Sequence, residues 1–413
     1  MNIAYYSHWF VPEIGAPSSR IYDLSREWLR AGHEVQVATA FPNHPVGRLY
    51  PGYKRQLYGH EVIDGIQVHR HWSYITPNKG FAKKAIGHVS LMPPMLFYAR
   101  KLKPTPDVFI GTSPTFFAAI AASRVARARK RPFIMEVRDL WPALFTELGV
   151  LENRTIIGAL EKLELSLYAR AARVVTVTEA FRQNIISRGV PERKVVTIPN
   201  GANVDYWVES GEGTPLRTKL GLDGKFVVLY IGAMGISQAL LTVVKAAARL
   251  RNEPDVRVVF VGEGADKEKL AKFVEEEKLT NVLFFDSVGK DEVRAFYSLA
   301  DVCLVPLRDI PLFSTFIPSK MFEIMSMGRP IVGSVRGEPA EILERSGDAL
   351  VIAPENDEAL ASAIVTLMRD PARRAAMGAS GRRFVIDHYS RAALAKTYLE
   401  TMHGAIADFA GQR

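Results

Sequence analysis

Short apolar stretches alternate along this chain with longer segments in which apolar residues recur at helical spacing. In the first forty residues this pattern predicts a strand at 2–7, a helix at 18–31 and a strand at 34–39. Ile21, Leu24 and Trp28 mark the apolar face of the helix. A strand, a helix and a second strand joined by a short turn form a βαβ unit, which predicts a parallel sheet.

Two series of such units follow each other. The first half has predicted strands at 107–111, 132–137, 173–177 and 194–198, and predicted helices at 115–130 and 154–172. The second half has predicted strands at 225–232, 256–262, 282–285, 301–306 and 330–334, and predicted helices at 240–250, 266–278, 291–299, 318–327 and 357–369. The sequence therefore predicts an α/β protein of two Rossmann-like domains facing each other across a cleft, with ligands at the carboxyl ends of the strands.

The length of 413 residues supports two domains, because single cores stop growing near ~250–300 residues. Turn residues are concentrated at 199–224, which is the predicted linker. The predicted organisation is an N-terminal domain at 1–198, a C-terminal domain at 225–378, and a helical tail at 379–413 that packs back toward the N-terminal domain.

Several features bear on the cellular compartment. The one cysteine, Cys303, lies in an apolar run and has no partner for an internal disulfide, which favours a reducing compartment. The first residues form a predicted strand rather than a signal peptide, and no run of ~20 apolar residues predicts a membrane span. We therefore expect a cytoplasmic protein.

The net charge of +9 is unevenly distributed. Residues 1–200 hold 27 basic and 15 acidic residues, and residues 48–131 alone hold 15 basic and 3 acidic ones. Such a field attracts phosphates, nucleic acid or an anionic membrane, although it could also be a solvated basic face without a partner. Nucleic acid is disfavoured because no aromatic-interleaved basic motif occurs.

The segment 78–103 combines six basic residues with many apolar ones. It predicts either docking on the inner face of the plasma membrane or a core helix with a charged rim. Pro93 and Pro94 are expected to interrupt any single long helix there.

Two segments of the first half contain candidate binding residues. Gly15, in the loop before the first helix, would allow a phosphate to approach the helix N-terminus, although a glycine there could simply form a turn. Arg138 follows a buried strand and should face the ligand crevice, unless it pairs with Asp139.

Two segments of the second half also contain candidate binding residues. Lys320 and Glu323 lie on one face near the start of a helix that is otherwise apolar. A carboxylate there can accept ribose hydroxyls and a cation can balance a diphosphate, but a solvated ion pair is the alternative. Backbone amides at 337–340 could bind an anion or sugar hydroxyls, or Glu338 could cap the following helix.

Several motifs are missing from the sequence. It contains no Asp-x-Asp pair, no Cys/His cluster with zinc spacing, no Walker A phosphate loop and no Gly-x-Ser-x-Gly elbow. A metal bridge to a diphosphate therefore has no obvious ligands.

Together these segments resemble the family 4 retaining glycosyltransferases of the GT-B fold. They are most similar to the branch that includes bacterial fucosamine-type transferases of O-antigen and capsule assembly. Seven segments in order carry this resemblance: 12–35, 136–142, 198–201, 230–235, 261–264, 318–328 and 337–338.

The resemblance implies that an N-acetylated hexosamine or deoxyhexosamine is moved from a UDP-linked donor to a lipid-linked glycan acceptor in cell-surface polysaccharide assembly. The donor would bind the C-terminal domain and the acceptor the N-terminal domain, with no metal or other cofactor. The leaving diphosphate itself would help to deprotonate the acceptor, so no protein nucleophile is expected.

The resemblance also implies roles for individual residues. Glu323 matches the second glutamate of the family's E-x7-E pair, which the family uses on the donor ribose, whereas Thr315 stands at the position of the first. Basic residues common after the 225–232 strand are absent, so Lys320, with Arg308 behind it, is expected to balance the diphosphate. Arg138 stands where many members have a histidine near the donor sugar.

The expected catalytic residues are therefore Arg138, Lys320 and Glu338. The expected donor-binding residues are Gly15, Gly232, Val288, Ser319, Lys320, Glu323, Gly337, Pro339 and Ala340.

Three other functions are open to a chain of this kind. A UDP-sugar 2-epimerase of the same fold needs no acceptor but does need acid and base carboxylates around one sugar. A periplasmic-type receptor is disfavoured by the missing signal peptide, and a nicotinamide oxidoreductase by the missing G-x-G-x-x-G after the first strand.

Overall fold

The computed structural model describes residues 1–13, 15–44, 47–76, 81–114, 116–143, 146, 149, 151–209 and 211–411, without the side chains of 81–84. The chain divides into two compact units. The first contains Met1–Asn200 together with Arg391–Arg413, and the second contains Gly201–Ser390.

The described part of the first unit is built on an eight-stranded sheet in the order β3-β4-β2-β1-β5-β6-β7-β8. Every pairing is parallel except that of β3 with β4. The strands are β1 (Asn2–Tyr6), β2 (Glu34–Ala40), β3 (Tyr58–Ile63), β4 (Ile66–His71), β5 (Val108–Thr112), β6 (Phe133–Val137), β7 (Arg173–Thr176) and β8 (Val195–Thr197).

Helices cover both faces of this sheet. They are α1 (Ala16–Arg30), α2 (Phe81–Phe97), α3 (Phe116–Arg129), α4 (Arg154–Arg170), α5 (Glu179–Ser187) and, from the end of the chain, α14 (Arg391–Gly411). Trp28 of α1 and Tyr398 of α14 pack together on the face that carries Ile3 and Tyr5. Strands β1, β5 and β6 are buried along their whole length, as expected of parallel strands covered on both sides.

The second unit contains a six-stranded sheet of parallel strands in the order β11-β10-β9-β12-β13-β14. Its strands are β9 (Phe226–Ile231), β10 (Val256–Val261), β11 (Val282–Phe285), β12 (Val302–Pro306), β13 (Ile331–Ser334) and β14 (Ala349–Ile352). Counted from its first strand this is the order 3-2-1-4-5-6 of the Rossmann fold, so the order in which strands are added to the sheet reverses between β9 and β12, although all strands stay parallel.

Eight helices belong to the described part of the second unit. They are α6 (Gly213–Lys219), α7 (Leu240–Arg249), α8 (Lys267–Glu276), α9 (Lys290–Leu299), α10 (Lys320–Ser326), α11 (Glu338–Ser346), α12 (Asp357–Arg369) and α13 (Pro371–Tyr389). The α/β class and the two Rossmann-like units are thus confirmed.

The boundary between the two units differs from the one that the sequence pattern predicts. Residues 201–224 belong to the second unit, because α6 packs on α9 and Arg217 donates to Leu299 O and pairs with Asp301. The expected tail at 379–413 contains the end of α13, which begins at Pro371, and the whole of α14; only α14 belongs to the first unit.

The expectation that Pro93 and Pro94 interrupt a helix is wrong, since α2 continues through both. Each proline lacks the amide hydrogen that would bond one turn earlier. However, Leu91 and Met95 on either side are fully buried, and their packing holds the last turn in place. No helix among the described residues is long and apolar enough to cross a membrane.

Candidate active site

All strands of the second sheet end at one edge, and the reversal between β9 and β12 opens a crevice at that edge. Gly232 follows β9 directly, and the chain after β12 leads through a short 3₁₀ helix, Pro311–Thr315, to α10. Lys320 and Glu323 of α10 therefore lie beside the crevice where ligands of this fold bind.

Lys320 is held against the end of β9. Its Nζ donates to Ile231 O at 2.8 Å and lies 4.0 Å from the ring centre of Tyr230. Gly232 has φ 137°, and a Cβ at this position would lie 2.7 Å from the Lys320 Nζ. Because a side chain at Gly232 would displace the ammonium group, glycine is required there for the lysine to reach this place.

The glycine after β10 is equally constrained. Gly262 has φ 140°, and a Cβ on it would lie 2.1 Å from Gly232 O. The loops after β9 and β10 therefore pack backbone to backbone, which fixes the surface on which Lys320 rests.

Burial lowers the pKa of Lys320 to about 8, although Glu323 on the same helix face partly opposes this shift. The ammonium is thus partly desolvated before any ligand binds, and an incoming phosphate would supply a negative charge to balance it.

The affinity for a diphosphate that Lys320 contacts is expected to fall with rising pH. The ammonium loses its proton near pH 8 in the free protein, while a bound diphosphate would raise that pKa. The Kd of a nucleotide-diphosphate sugar should therefore rise about tenfold between roughly pH 7 and pH 9. Calorimetric titration of wild type and Lys320→Met across this range checks the prediction, and an equal rise in both would contradict it.

Glu323 has a partner that sequence patterns did not reveal. Tyr297 of α9 donates its hydroxyl to the Glu323 Oε2 at 3.2 Å. Burial and the neighbouring Glu323 raise the pKa of Tyr297 well above its usual value, so the phenol stays neutral and acts as a donor. Its ring also packs edge-on against Trp207 at 5.6 Å. We infer that Tyr297 is a positioning residue for the Glu323 carboxylate.

Tyr297→Phe is expected to raise the donor KM about tenfold and to change kcat less than about twofold, since a hydrogen bond to a charged group contributes roughly 1.5–3 kcal/mol. Steady-state kinetics in which the donor is varied separate the two constants. Tyr168→Phe is the matched control, because the Tyr168 hydroxyl donates to Glu164 Oε1 at 2.6 Å in the first unit. A KM that is unchanged, or raised alike in both variants, would remove the positioning role.

The start of α11 lies against the 3₁₀ helix. Gly337 is its N-cap residue, with φ 67°, and a Cβ there would lie 2.4 Å from Ser314 O. Gly337 rather than Glu338 thus occupies the capping position, while Glu338, Pro339 and Ala340 form the first turn of the helix. This places the positive end of α11 at the carboxyl edge of the sheet.

The other residues expected near the donor lie in the loops and helix starts of the second unit. Val288 is half-buried in the loop between β11 and α9, and Ser319 is the N-cap residue of α10. The Thr315 hydroxyl donates to Leu312 O at 2.7 Å, so it serves the backbone of the 3₁₀ helix. Arg308 Nε lies 3.8 Å from Glu355 Oε1 in an exposed ion pair.

In the first unit, Arg138 follows the buried strand β6 and adjoins a buried charge network. Glu136 accepts hydrogen bonds from Arg20 Nε at 3.2 Å, from Thr112 Oγ1 at 3.1 Å and from the Tyr5 hydroxyl. Burial alone would raise the pKa of Glu136, but Arg20 and Arg138 hold it below its usual value. Glu136 is therefore a buried carboxylate that stays ionised.

Arg138 is itself buried, with 8% of its surface exposed. Its backbone amide donates to Ser113 Oγ at 2.9 Å, whereas its Nε and Nη1 have no hydrogen-bond partner among the described residues. Among the described residues Arg138 forms no ion pair with Asp139, so the alternative in which these two neighbours pair with each other is not observed. Burial raises the pKa of Asp139 to about 6. Unsatisfied donors of this kind suit an anionic or hydroxyl-rich ligand.

Gly15 lies in the first unit, too, as the N-cap residue of α1 with φ 149°. The expected site residues thus fall into two sets: Gly15 and Arg138 in the first unit, and the others in the second. Among the described residues, no three His, Cys, Asp or Glu side chains are grouped in a way that could hold a metal ion.

Two Rossmann-like units, each built on a mainly parallel sheet, are the architecture of the GT-B fold. Residues 15–201 match the model of the glycosyl transferase 4-like domain and residues 225–370 that of the glycosyl transferases group 1. The chain therefore belongs to the family 4 glycosyltransferases, and its catalytic activity is glycosyl transfer.

The sequence similarity to known proteins extends over nearly the whole chain. WcaI of Escherichia coli K12, a glycosyl transferase assigned to colanic acid biosynthesis, is 27% identical over 378 residues, covering 88% of this chain and 91% of that protein. A GDP-mannose-dependent alpha-mannosyltransferase of Mycolicibacterium smegmatis is 23% identical over 94% of this chain and 93% of its own length.

Two solved structures share the fold. The sucrose-phosphate synthase of Thermosynechococcus elongatus superposes with a TM-score of 0.77 at 18% identity, over 98% of this chain and 99% of that one. HepE of Anabaena, solved with UDP and glucose, has a TM-score of 0.71 at 17% identity, over 97% and 99% of the two chains.

Proposed function

We propose that this glycosyltransferase is a retaining enzyme that moves an N-acetylated hexosamine or deoxyhexosamine from a UDP-linked donor to a lipid-linked glycan in cell-surface polysaccharide assembly. The observation that carries the proposal is the pair of Lys320 and Glu323 on one helix face beside the crevice of the second unit. The assignment of WcaI to colanic acid biosynthesis and the UDP bound to HepE support the pathway class and the base.

In this proposal the second unit holds the donor. Glu323 accepts hydrogen bonds from the ribose hydroxyls, and Lys320 balances the diphosphate together with the first turn of α11. The phosphates approach the backbone at Gly232 and Gly337. Val288, Ser319, Pro339 and Ala340 line the remaining donor surface, while Glu338 contacts the sugar.

The reaction breaks the bond between the anomeric carbon and the diphosphate oxygen and forms a bond from that carbon to the acceptor oxygen on the same face. The acceptor proton passes to the leaving diphosphate, so charge and atoms balance without a protein nucleophile. The enzyme contributes by stabilising the departing diphosphate and a cationic sugar. Arg138, whose donors are unsatisfied in the described residues, is proposed to contact the transferred sugar or its phosphate.

A thermal-shift series tests the donor assignment. A ligand that binds only the folded protein stabilises it, by about 2.7 kcal/mol at one hundred times its Kd. UDP-N-acetylhexosamines should raise the Tm more than GDP-mannose or UDP-glucose does. A larger shift with GDP-mannose would overturn the base assignment, and no shift with any nucleotide sugar would overturn the donor site.

Metal independence is part of the proposal, because Lys320 and the α11 dipole replace the charge of a divalent ion. Product formation should therefore continue in excess EDTA. An activity that disappears in EDTA and returns with Mg²⁺ or Mn²⁺ would contradict this charge assignment.

The lipid-linked acceptor implies that the enzyme docks on the inner face of the plasma membrane. Helix α2 supports this, because Ile86, Val89 and Phe97 are 55%, 42% and 60% exposed although Leu91 and Met95 of the same helix are fully buried. Arg100 lies 4.6 Å above the Phe97 ring. Residues 78–80 and the side chains of 81–84, which belong to the basic segment, lie outside the described residues.

Binding to anionic vesicles is expected to depend on this helix. The variants Ile86→Ser/Val89→Ser/Phe97→Ser and Lys83→Glu/Lys84→Glu/Lys101→Glu should each reduce co-sedimentation with anionic liposomes at least about tenfold. The first removes exposed apolar side chains that would enter the interface. The second reverses three charges, each of which contributes about 1 kcal/mol near such a surface. Ile236→Ser/Ile386→Ser removes two exposed apolar residues of the second unit and is the control. Salt-independent binding that is equal in all proteins would remove the membrane role.

A further inference from the structure

The first unit contains a cavity that the proposed donor site does not use. Its volume is about 300 Å³, at the lower end of the range for small-molecule sites. It is lined by Phe41, Leu49, Lys54, Arg55, Gln56, Trp72, Ser73, Tyr74 and Ile75.

The cavity lies at the carboxyl edge of the first sheet. Phe41 follows β2 directly and Trp72 follows β4, and these two strands are parallel neighbours. Lys54, Arg55 and Gln56 precede β3, which is antiparallel to β4 and therefore begins at the same edge. The cavity thus shares the edge at which ligands bind in open α/β sheets.

Its apolar walls are aromatic and rest on a fixed backbone. Trp72 and Tyr74 are 37% and 43% exposed, whereas Phe41 is buried. The Trp72 amide donates to Leu57 O at 3.1 Å, and the Tyr74 amide donates to Ser90 Oγ of α2 at 2.8 Å. Large aromatic faces in such a wall suit the apolar face of a sugar ring, because they offer contact area at little cost in conformational entropy.

The charged side chains that line the cavity are all positive. Lys54 and Arg55 are exposed and form no ion pair with any described residue, and no acidic side chain is among the described lining residues. The nearby Glu61 is engaged by Arg70, with Nε 2.6 Å from Oε1. Two unpaired cations beside aromatic walls favour a ligand with both an oxyanion and a ring.

We propose that this cavity binds a sugar unit of the acceptor that carries an oxyanion. The ring would lie against Trp72 and Tyr74, and the oxyanion would contact Lys54 and Arg55. Either the phosphate that joins a sugar to its lipid or the carboxylate of a uronic acid supplies this chemistry. The inference rests on the proposed function, since it assigns the acceptor of that reaction. The link of Tyr74 to α2 places the cavity beside the proposed membrane-docking helix.

Saturation-transfer NMR on the full chain tests binding with three probes: glucose 1-phosphate, glucuronate and glucose. Ring-proton signals are expected from an anionic probe and at least about fivefold weaker ones from glucose. Lys54→Met/Arg55→Met and Trp72→Ala should each abolish most of the signal, whereas Lys269→Met/Arg257→Met in the second unit should not. A response to glucose 1-phosphate alone assigns the phosphate, and a response to glucuronate alone assigns the carboxylate.

Equal signals from all three probes, or signals that survive both cavity variants, would overturn the proposal. The thermal shift with a UDP-sugar keeps this outcome separate from failure of the proposed function. The acceptor site is supported if a UDP-sugar raises the Tm of a cavity variant as much as that of the wild type, while the variant no longer binds the probes. If a UDP-sugar does not raise the Tm of the wild-type protein, the donor proposal is wrong, whatever the cavity binds.

Discussion

Lys320→Met is expected to lower kcat about 100- to 1,000-fold, the loss that follows removal of one preorganised group from a developing oxyanion. The negative charge of the leaving diphosphate grows in the transition state, and Lys320 is the described cation that Ile231 O and Tyr230 hold at the crevice of the second unit. Because its ammonium is already desolvated, it needs little reorganisation when that charge develops.

The variant should keep its fold. Burial disfavours the charged form of Lys320, as its lowered pKa of about 8 indicates, so a methionine of similar length should not reduce the Tm at pH 7. Single-turnover rates with saturating donor and the Tm of the same samples distinguish loss of chemistry from loss of structure. Lys269→Met, on the exposed face of α8, is the control. A kcat within twofold of wild type would exclude Lys320 from the charge balance.

Glu136→Gln is expected to destabilise the first unit by about 3–5 kcal/mol, the usual effect of removing one partner from a buried ion pair. The side chains of Arg20 and Glu136 are 1% and 0% exposed, and Arg138 lies nearby. Without the carboxylate, two buried guanidinium groups would face each other. Arg20 also donates to Ile198 O at 2.9 Å and to Pro199 O at 2.7 Å, so the end of the first unit depends on the same network.

Urea unfolding followed by tryptophan fluorescence measures this effect, because four of the five tryptophans, Trp9, Trp28, Trp72 and Trp141, lie in the first unit. Glu277→Gln is the matched control, since Glu277 pairs with Arg251 at 3.2 Å with both side chains about half exposed. Exposed pairs of this type contribute at most ~1 kcal/mol. If the free energy of unfolding falls equally in the two variants, burial does not account for the contribution of Glu136 to stability.

The repeating apolar pattern is local information, and it was sufficient for the class of fold. The helix predicted at 357–369 is observed as Asp357–Arg369, because its polar start and apolar spacing lie within the segment itself. The hairpin of β3 and β4 was not predicted, since β3 is only partly buried and has no continuous apolar run. The path of α2 through two prolines depends on its packing, which the sequence of the segment does not reveal.

The α/β class and the two Rossmann-like halves could be predicted from the apolar pattern, and the proximity of Lys320 and Glu323 from helical spacing, which places residues three apart on one face. The groups that support these two side chains could not be predicted in this way. Ile231 O lies 89 residues from Lys320 along the chain, and Tyr297 lies 26 residues from Glu323. Likewise, the network around Glu136 joins residues more than 100 positions apart. Such partners come together only when helices and strands that are distant in the sequence pack against each other, so no local pattern can identify them.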